Sequence, residues 1–359
     1  MLIDLFKRAK PDKAPSVQEA QPGYRKIGAG ACGAVFAKEK DGDLALKFAK
    51  SKDGMLWNDY QMHVRIRDAF SKHSQLNLGV NIPKPQFLVG TTEEIHGQDS
   101  DIYDSFLSTH PGLRNVLEPV CNFPTDCLGS ERIWPLSEKI RTEIIDSFYD
   151  WRLKKYARED PANEDCLVRV YLGSEKGIVG RRFSSLRNFK LSLSQMMFIN
   201  VDSKALAHKV ARALAVMHWE AETDARDVEF VLGGPAEPVE EGDTAGEGSS
   251  TGIGVNSDHT LFGETAAFWV LDFNQVRRIT LDEDGVRDAL HAIKANDPYF
   301  PRPLQENPWA KEAWDAFASE YKRVSDPILR KKTGAEGSDL PALFLQGLID
   351  MERSREAHE

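Results

Sequence analysis

The sequence is poor in cysteine and contains no long apolar run. Its only cysteines are Cys32, Cys121, Cys127 and Cys166, and no two of them form a C-x-x-C pair. Because structural zinc sites use closely spaced cysteine and histidine ligands, no zinc site is expected. No run of about 18 apolar residues is present, so no membrane-spanning helix is expected either. The charged first residues lack the apolar core of a secretory signal, and scattered thiols are typical of a reducing compartment. We therefore expect a cytoplasmic location.

Positive charge is also in short supply, since the formal net charge is −10. This balance argues against indiscriminate binding of nucleic acid. Basic residues nevertheless cluster locally, and each cluster is either ordinary solvated surface or a docking face for one structured anionic partner such as a tRNA. The two clusters considered as docking faces are Arg152, Lys154, Lys155 and Arg158, and Arg181, Arg182, Arg187 and Lys190.

A glycine-rich segment near the start of the chain is the strongest local signal. Residues 27–35 read I-G-A-G-A-C-G-A-V, and Lys47 follows within a short apolar run. Glycine allows backbone N–H groups to approach a ligand closely. The strand-like residues 44–48 favour a strand–loop–strand hairpin over the strand–loop–helix of dinucleotide-binding domains. This pattern is typical of the phosphate-binding hairpin and lysine of protein kinases, although a plain glycine-rich hairpin is the alternative.

Acidic residues further along the chain occur in the order found in kinases. An amphipathic helical pattern with Leu206, Val210, Leu214 and Met217 precedes an acidic loop. On the D-x-x-x-x-N spacing of small-molecule kinases, Asp224 takes the catalytic aspartate position and Glu229 that of the metal-binding asparagine. Asp272 takes the D-F-G aspartate position, with Asn274 in place of the glycine. Lys47 lacks a helical glutamate partner, and Asp59 is the candidate for that place.

These landmarks predict an α+β, bilobal protein-kinase-like fold with a small β-rich N-lobe and a larger, mostly helical C-lobe. We expect a helix near 55–71, a strand at 131–136 leading into the hinge, and an amphipathic helix over 139–158 with Trp151 on its apolar face. Three C-terminal helices are expected near 281–296, 308–324 and 340–352. The expected organisation is a disordered tail at 1–22, an N-lobe at 23–136 with a polar insertion at 91–126, and a C-lobe at 137–359 with a flexible loop at 236–258.

Several longer motifs resemble one fungal family, the arginine-containing cyclodipeptide synthases, whose members are often labelled "zinc finger protein". The motifs are D-A-R-D-V-E-F-V-L-G at 224–233, W-V-L-D-F-N-Q-V-R at 269–277, N-D-P-Y-F-P-R-P at 296–303, R-V-Y-L-G at 169–173 and L-R-N-F at 186–189. The resemblance implies that the chain joins arginine to a second amino acid as a diketopiperazine in secondary metabolism. The substrates would be arginyl-tRNA and a second aminoacyl-tRNA, with neither DNA nor a membrane as partner. No cofactor would be required, and magnesium could enter only with the tRNA.

An acidic motif is essential in that family, and carboxylates are the natural partners of a guanidinium group. The residues expected to be catalytic are Asp224, Asp227, Glu229 and Asp272. Those expected to bind substrate are Gly28, Gly30, Gly33, Lys47 and Asn274, and those expected to bind tRNA are Arg181, Arg182, Lys154 and Lys155. No metal ligand is expected.

Two alternatives follow from the same residues. The first is a Mg-ATP-dependent phosphotransferase acting on a small molecule, with Asp224 as base, Asp272 on the metal and Lys47 on the phosphates. The second is a non-catalytic kinase-like binding module, which would leave the concentrated acids unexplained.

Overall fold

The chain folds into two lobes, each built on a five-stranded sheet, and this confirms the predicted bilobal, kinase-like α+β fold. The computed structural model describes residues 23–38, 42–51, 54–90, 101–110, 112–121, 125–177, 185–235, 258–296, 298–334 and 338–357. The expected disordered tail at 1–22 lies outside these residues, as does the expected flexible loop at 236–258 except for its last residue, which begins a strand.

The upper lobe is an antiparallel sheet with one long helix packed against it. In chain order its strands are β1 (Tyr24–Ala29), β2 (Gly33–Lys38), β3 (Leu44–Ala49), β4 (Pro85–Val89) and β5 (Cys127–Glu131). They lie side by side in the order β1-β2-β3-β5-β4. Helix α1 (Met55–Lys72) follows β3 and buries one face that includes Leu56, Ile66 and Phe70. The hinge strand expected at 131–136 is wrong, because β5 ends where that strand was expected to begin.

The segment expected as a polar insertion contributes to the core of the upper lobe. Helices α2 (Asp101–Thr109) and α3 (Leu113–Leu117) lie within residues 91–126. They place Phe106, Leu113 and Leu117 against the apolar side chains of the upper sheet. The expectation of a merely polar segment is therefore wrong for these two helices.

The lower lobe contains the second sheet and most of the remaining helices. Its strands are β6 (Val168–Tyr171), β7 (Phe189–Ser192), β8 (Glu229–Gly233), β9 (Asp258–Leu261) and β10 (Glu264–Leu271), in the order β7-β6-β8-β10-β9. Its helices are α4 (Glu138–Phe148), α5 (Lys154–Glu159), α6 (Leu193–Phe198), α7 (Ser203–Ala215), α8 (Glu283–Asn296), α9 (Pro308–Thr333) and α10 (Leu340–Glu356).

Two helices of the lower lobe differ from the sequence prediction. The helix expected over 139–158 breaks after Phe148, because Tyr149 is extended and its hydroxyl donates to Ser185 O at 2.7 Å. Trp151 is consequently 75% exposed instead of buried. Helix α9 continues past the expected end at 324 and through Pro327. The burial of Ile328 beyond that proline helps to offset its cost to the helix.

The core of the lower lobe forms where α7 packs against α9. The predicted apolar face of α7 is confirmed, since Leu206, Val210 and Leu214 are fully buried. The Asp202 side chain caps the first turn by accepting from Ala205 N at 2.9 Å. A π-turn over Val216–Glu220 extends α7 and turns both of its aromatic residues inward. Such turns are frequent at functional sites, and this one leads directly into the acidic loop.

The inward aromatic residues of the π-turn make polar contacts to α9 inside the core. His218 Nδ1 lies 2.7 Å from Tyr321 Oη, and Trp219 Nε1 donates to Ser325 Oγ at 2.8 Å. Complete burial lowers the pKa of His218 to about 3. The imidazole is therefore neutral in the folded chain at neutral pH.

A histidine that is buried in its neutral form makes folding sensitive to acid. His218 takes up a proton below about pH 6.5 in the unfolded chain but only near pH 3 in the folded chain. The stability that the neutral imidazole contributes is therefore lost as the pH falls from 6.5 towards 3. Between pH 7 and pH 5 the loss should be about 2 kcal/mol. The free energy of unfolding, measured with urea, should therefore fall by about 2 kcal/mol more in the wild type than in His218→Gln when the pH is lowered from 7 to 5. Equal pH dependence in both proteins would contradict a buried neutral imidazole.

Candidate active site

The glycine-rich segment forms the predicted hairpin between β1 and β2. Gly30 N donates to Gly33 O at 2.9 Å and closes the turn. A Cβ at Gly33 would lie 2.8 Å from Phe48 O, so this position excludes any side chain, whereas Gly30 faces open space. Lys50, which the sequence analysis did not single out, donates its Nζ to Gly30 O at 2.5 Å. The hairpin tip therefore carries an ammonium group beside open backbone.

Lys47 lies below the hairpin and pairs with two carboxylates. Its Nζ is 2.6 Å from Asp59 Oδ2 on α1 and 2.8 Å from Asp272 Oδ1 at the end of β10. This confirms Asp59 as the helical partner of the lysine. Burial alone lowers the pKa of Lys47, but the two carboxylates outweigh it and raise that pKa above its usual value. Lys47 is therefore a permanent cation that joins the two lobes.

Helix α1 also fixes the backbone that follows Asp272. Asp59 Oδ1 accepts from Phe273 N at 3.1 Å. The neighbouring Asn58 Nδ2 donates to Asn274 O at 3.0 Å and to Val276 O at 2.9 Å. Asp59 is almost fully buried, so a single carboxylate holds both the lysine and the acidic turn in place.

The acidic loop between the π-turn and β8 has a strained backbone. Ala225 and Asp227 have φ angles of 52° and 61°, a region that residues other than glycine rarely adopt. Asn296, the last residue of α8, holds this shape. Its Nδ2 donates to Ala225 O at 3.0 Å and to Val228 O at 3.3 Å, and its Oδ1 accepts from Asp227 N. The sequence analysis placed Asn296 in a motif but gave it no role.

Asp224, expected to be catalytic, is engaged with the backbone. Its Oδ1 accepts from Arg226 N at 3.0 Å and from Arg277 N at 2.8 Å, and the residue is 4% exposed. Burial raises the pKa of Asp224, while these N–H groups and the two arginine side chains oppose that shift. The geometry gives Asp224 a role in holding the loop against the segment after Asp272.

Glu229 stands at the position of a metal-binding asparagine and is paired with Arg169. Arg169 Nη2 on β6 lies 2.6 Å from a carboxylate oxygen of Glu229 on β8. Burial raises the pKa of Glu229 to about 7; Arg169 opposes this shift, and Asp272 and Asp227 add to it. The sequence analysis named the β6 segment as a motif and did not recognise Arg169 as part of the site.

Asp227 completes the acidic group. Its Oδ2 accepts from Gln275 Nε2. Burial raises the pKa of Asp227, and the nearby Asp272 carboxylate raises it further. Asp227, Glu229 and Asp272 therefore lie within electrostatic range of one another, with Lys47, Arg169 and Arg226 as the neighbouring cations. Carboxylates that lie this close together favour the arrival of a positive group.

Asn274, expected to bind substrate, lies under α1. It is 5% exposed, and its Oδ1 has no hydrogen-bond partner within the described part of the chain. Its backbone carbonyl is taken up by α1, so Asn274 is held rigidly behind the acidic group.

Residues 132–137 connect the two lobes and form the hinge, and the face of the lower sheet beside them is apolar and closely packed. Val231 on β8 and Trp269 on β10 are cross-strand partners, and each is 2% exposed. Ile133 and Leu167 pack against them. The Trp269 indole N–H donates to Gly234 O at 3.1 Å, just below the hinge. This face therefore offers no open slot in the described structure.

The basic residues expected to bind tRNA are only partly described. Arg181 and Arg182 lie outside the described residues. Lys154 Nζ donates to Asp146 O at 2.6 Å and is thereby engaged in local structure, whereas Lys155 is exposed. Arg187 bonds to the carbonyls of Ala162 and Lys26 at 3.2 Å each and so bridges the two lobes.

Among the residues that the structure describes, no group of three or more histidine, cysteine, aspartate or glutamate side chains is arranged to hold a metal ion. No helix in the described ranges is long and apolar enough to cross a membrane.

One sequence-family model matches a segment of the chain. The family DUF3669, described as "Zinc finger protein", matches residues 268–333. This segment is about a fifth of the chain and contains no cysteine and one histidine, His291. It cannot supply the ligand set of a structural zinc site. The description agrees with the label expected for relatives of this chain, although the match is confined to this segment.

No curated protein matches the chain. Among solved structures, a GDP complex of an aminoglycoside 2'-phosphotransferase-IIIa variant matches with 8% sequence identity, over 95% of this chain and 93% of that one, at a TM-score of 0.23. A score this low carries no argument. The assignment to the kinase-like class therefore rests on the strand order, the glycine hairpin and the Lys47 ion pairs.

The two ion pairs of Lys47 should be measurable as coupling in stability. Asp59→Ala should lower the free energy of unfolding by roughly 3–5 kcal/mol, because it leaves a buried cation short of a partner. The double variant Asp59→Ala, Lys47→Met should be at least about 1 kcal/mol more stable than the sum of the two single losses predicts, as measured in a double-mutant cycle. As a control, Lys72→Met removes an exposed pair with Glu220 and should change stability by less than about 1 kcal/mol. Simple additivity of the Asp59 and Lys47 variants would show that the pair is not coupled.

Proposed function

We propose that this chain is an aminoacyl-tRNA-dependent synthase that joins arginine to a second amino acid as a cyclodipeptide. The observation that carries the proposal is the surplus of carboxylates in the cleft. Asp59, Asp227, Glu229 and Asp272 lie near three cations of the described cleft, Lys47, Arg169 and Arg226. A cleft with more acids than cations attracts a positively charged group. Guanidinium is the group whose planar geometry suits carboxylates best.

The replacement of an amide by Glu229 supports the same choice. A neutral asparagine at this position serves a metal ion on nucleotide phosphates. Here the Glu229 carboxylate is bound to the guanidinium of Arg169 on β6, and an arginyl substrate would carry the same guanidinium group. The filled hinge face around Trp269 also supports it, because a purine lying flat between the lobes would need that face open.

The reaction itself needs positioning and proton transfer more than activation. An aminoacyl-tRNA ester is already activated, so the α-amine of one aminoacyl group can attack the ester carbonyl of the other once both are aligned. Glu229, whose pKa is near 7, is matched to the transfer of the amine proton. The glycine hairpin with Lys47 and Lys50 would then hold the phosphates at the 3′ end of the tRNA instead of those of ATP.

A Mg-ATP-dependent phosphotransferase is the second candidate, and a specific observation favours it. The hairpin, Lys47, Asp59 and Asp272 have the arrangement that holds nucleotide phosphates and their metal in kinases. This similarity of the backbone scaffold supports the second candidate more directly than the first. The two candidates differ in what they consume, and one assay therefore separates them.

The assay supplies purified protein with pre-charged arginyl-tRNA and a mixture of other aminoacyl-tRNAs, without ATP. We expect a cyclodipeptide containing arginine in the product mass spectrum, because the esters supply the driving force. A parallel reaction contains Mg-ATP, free arginine and uncharged tRNA, and should give neither product nor ADP. Release of ADP in the second reaction, together with no product in the first, would favour the phosphotransferase.

Glu229→Gln keeps the shape of the side chain but removes its charge and its ability to take a proton. Turnover of charged tRNAs should fall about 100-fold to 10,000-fold, as for loss of a general acid–base group. The circular dichroism spectrum should be unchanged. The matched control is Glu312→Gln on the exposed face of α9, which should retain wild-type turnover. Turnover of Glu229→Gln within about threefold of wild type would remove Glu229 from the mechanism.

A further inference from the structure

Arg169 is the one described arginine whose side chain reaches into the acidic cleft from the lower sheet, and the proposed function leaves its role open. In the β6–β8 ladder Arg169 stands opposite Val231. Because side chains alternate along a strand, Val231 and Glu229 share one face of β8, while Phe230 and Leu232 face the core. Arg169 therefore reaches diagonally across the sheet surface to Glu229.

We propose that Arg169 is a positioning residue that holds the Glu229 carboxylate at the floor of the cleft and keeps it ready to accept a proton from the attacking amine. The inference rests on the proposed function and adds the residue that prepares its proton acceptor. Arg169 would itself touch neither the amine nor the ester.

The geometry distinguishes this pair from an ordinary surface ion pair. The side chains of Arg169 and Glu229 are 25% and 17% exposed, so both are largely withdrawn from water while one side of the pair remains open to the cleft. The Tyr171 ring, two residues along β6, lies in T-shaped contact with the Tyr299 ring at 4.8 Å between centroids. Both tyrosines also interact electrostatically with the Arg169 guanidinium.

The charges around Glu229 come from every element that surrounds it. Burial favours its neutral acid, and the neighbouring carboxylates act in the same direction. Arg169 and Lys47 favour the carboxylate, and Arg169 is the stronger of the two. The groups are Lys47 on β3, Arg169 and Tyr171 on β6, Asp227 in the acidic loop, Asp272 after β10 and Tyr299 after α8. Removal of Arg169 would leave Lys47 as the remaining cation among them.

The aminolysis step that Arg169 and Glu229 would serve needs no reagent beyond the two aminoacyl-tRNA esters. The amine nitrogen forms a bond to the ester carbonyl carbon, and the bond from that carbon to the ribose oxygen breaks. The proton lost by the amine passes to Glu229 and then to the departing ribose oxygen, which leaves as a hydroxyl group. Nothing is oxidised or reduced. Two such aminolysis steps close the six-membered ring.

The first test is the pH dependence of kcat/KM with charged tRNAs. The acidic limb of this profile is the low-pH side on which the rate falls as Glu229 becomes protonated. Arg169→Gln removes the nearest positive charge, so the midpoint of the acidic limb should move up by about 1–3 pH units. Turnover at pH 7 should fall at least about tenfold, with KM changed less than kcat. Arg169→Lys keeps the charge and should return the limb to within about half a unit of wild type. Arg353→Gln, which breaks an exposed pair on α10, should leave both the limb and the rate unchanged.

A structural role alone predicts a different pattern. If Arg169→Gln lowers the melting temperature and the rate but leaves the acidic limb in place, Arg169 does not prepare Glu229 and the proposal is overturned. Failure of Arg169→Lys to restore the limb would overturn it as well.

The second test needs no turnover and separates this inference from the proposed function. The test uses NMR spectra of protein labelled with ¹³C-glutamate. The carboxyl signal that is present in the wild type and absent from Glu229→Gln belongs to Glu229, and its titration with pH gives the pKa of Glu229 directly. An upward shift in Arg169→Gln, reversed in Arg169→Lys, supports the positioning role even if charged tRNAs yield no product. An unchanged titration overturns the role even if product forms.

Discussion

The rest of the site depends on one ammonium group, that of Lys47, which is shared by two carboxylates from opposite lobes. Asp59 reaches it from α1 and Asp272 from the end of β10. The Asp59 carboxylate depends most on the lysine, because it is almost fully buried and a buried unpaired charge is costly. Since Asp59 also receives the N–H of Phe273, the same interaction fixes the turn that carries Asp272. This ion network therefore fixes α1 of the upper lobe against the Asp272 turn of the lower lobe, while Arg187 and Asn58 add further links between the lobes.

The second constraint is the shape of the acidic loop. Its left-handed residues have no glycine among them, so their conformation must be imposed from outside. Asn296 satisfies three backbone groups of the loop, and Asp224 satisfies one backbone N–H group in the loop and one in the segment after Asp272. These buried polar side chains direct Asp227 and Glu229 outward. Strain held by surrounding hydrogen bonds is typical of sites where side chains must be placed accurately.

Much of this could be predicted from local sequence, and the remainder depended on contacts between distant segments. The glycine hairpin and the buried face of α7 follow directly from residue spacing and periodicity. The break after Phe148 could not be seen, because it depends on the bond from Tyr149 to Ser185. Spacing alone aligned Asp224 with a catalytic base, yet its neighbours in space are backbone N–H groups. Arg169 was hidden for a related reason, since its partner lies 60 residues away along the chain.

The fold and the side chains of the site lead to different expectations, and the proposed function rests on the charge of the cleft. The hairpin and lysine have the arrangement of a kinase phosphate-binding scaffold, while the surplus carboxylates are the reason for proposing a cationic ligand. Function therefore has to be argued from the side chains and not from the scaffold they occupy.

The most direct measurement is a calorimetric titration of the protein with argininamide, with citrullinamide as the uncharged isostere. The account predicts one argininamide site that weakens at least about tenfold in Glu229→Gln, and no detectable citrullinamide binding. Equal binding of the two amides, or binding of Mg-ATP but not of argininamide, would contradict a cleft built for a guanidinium group.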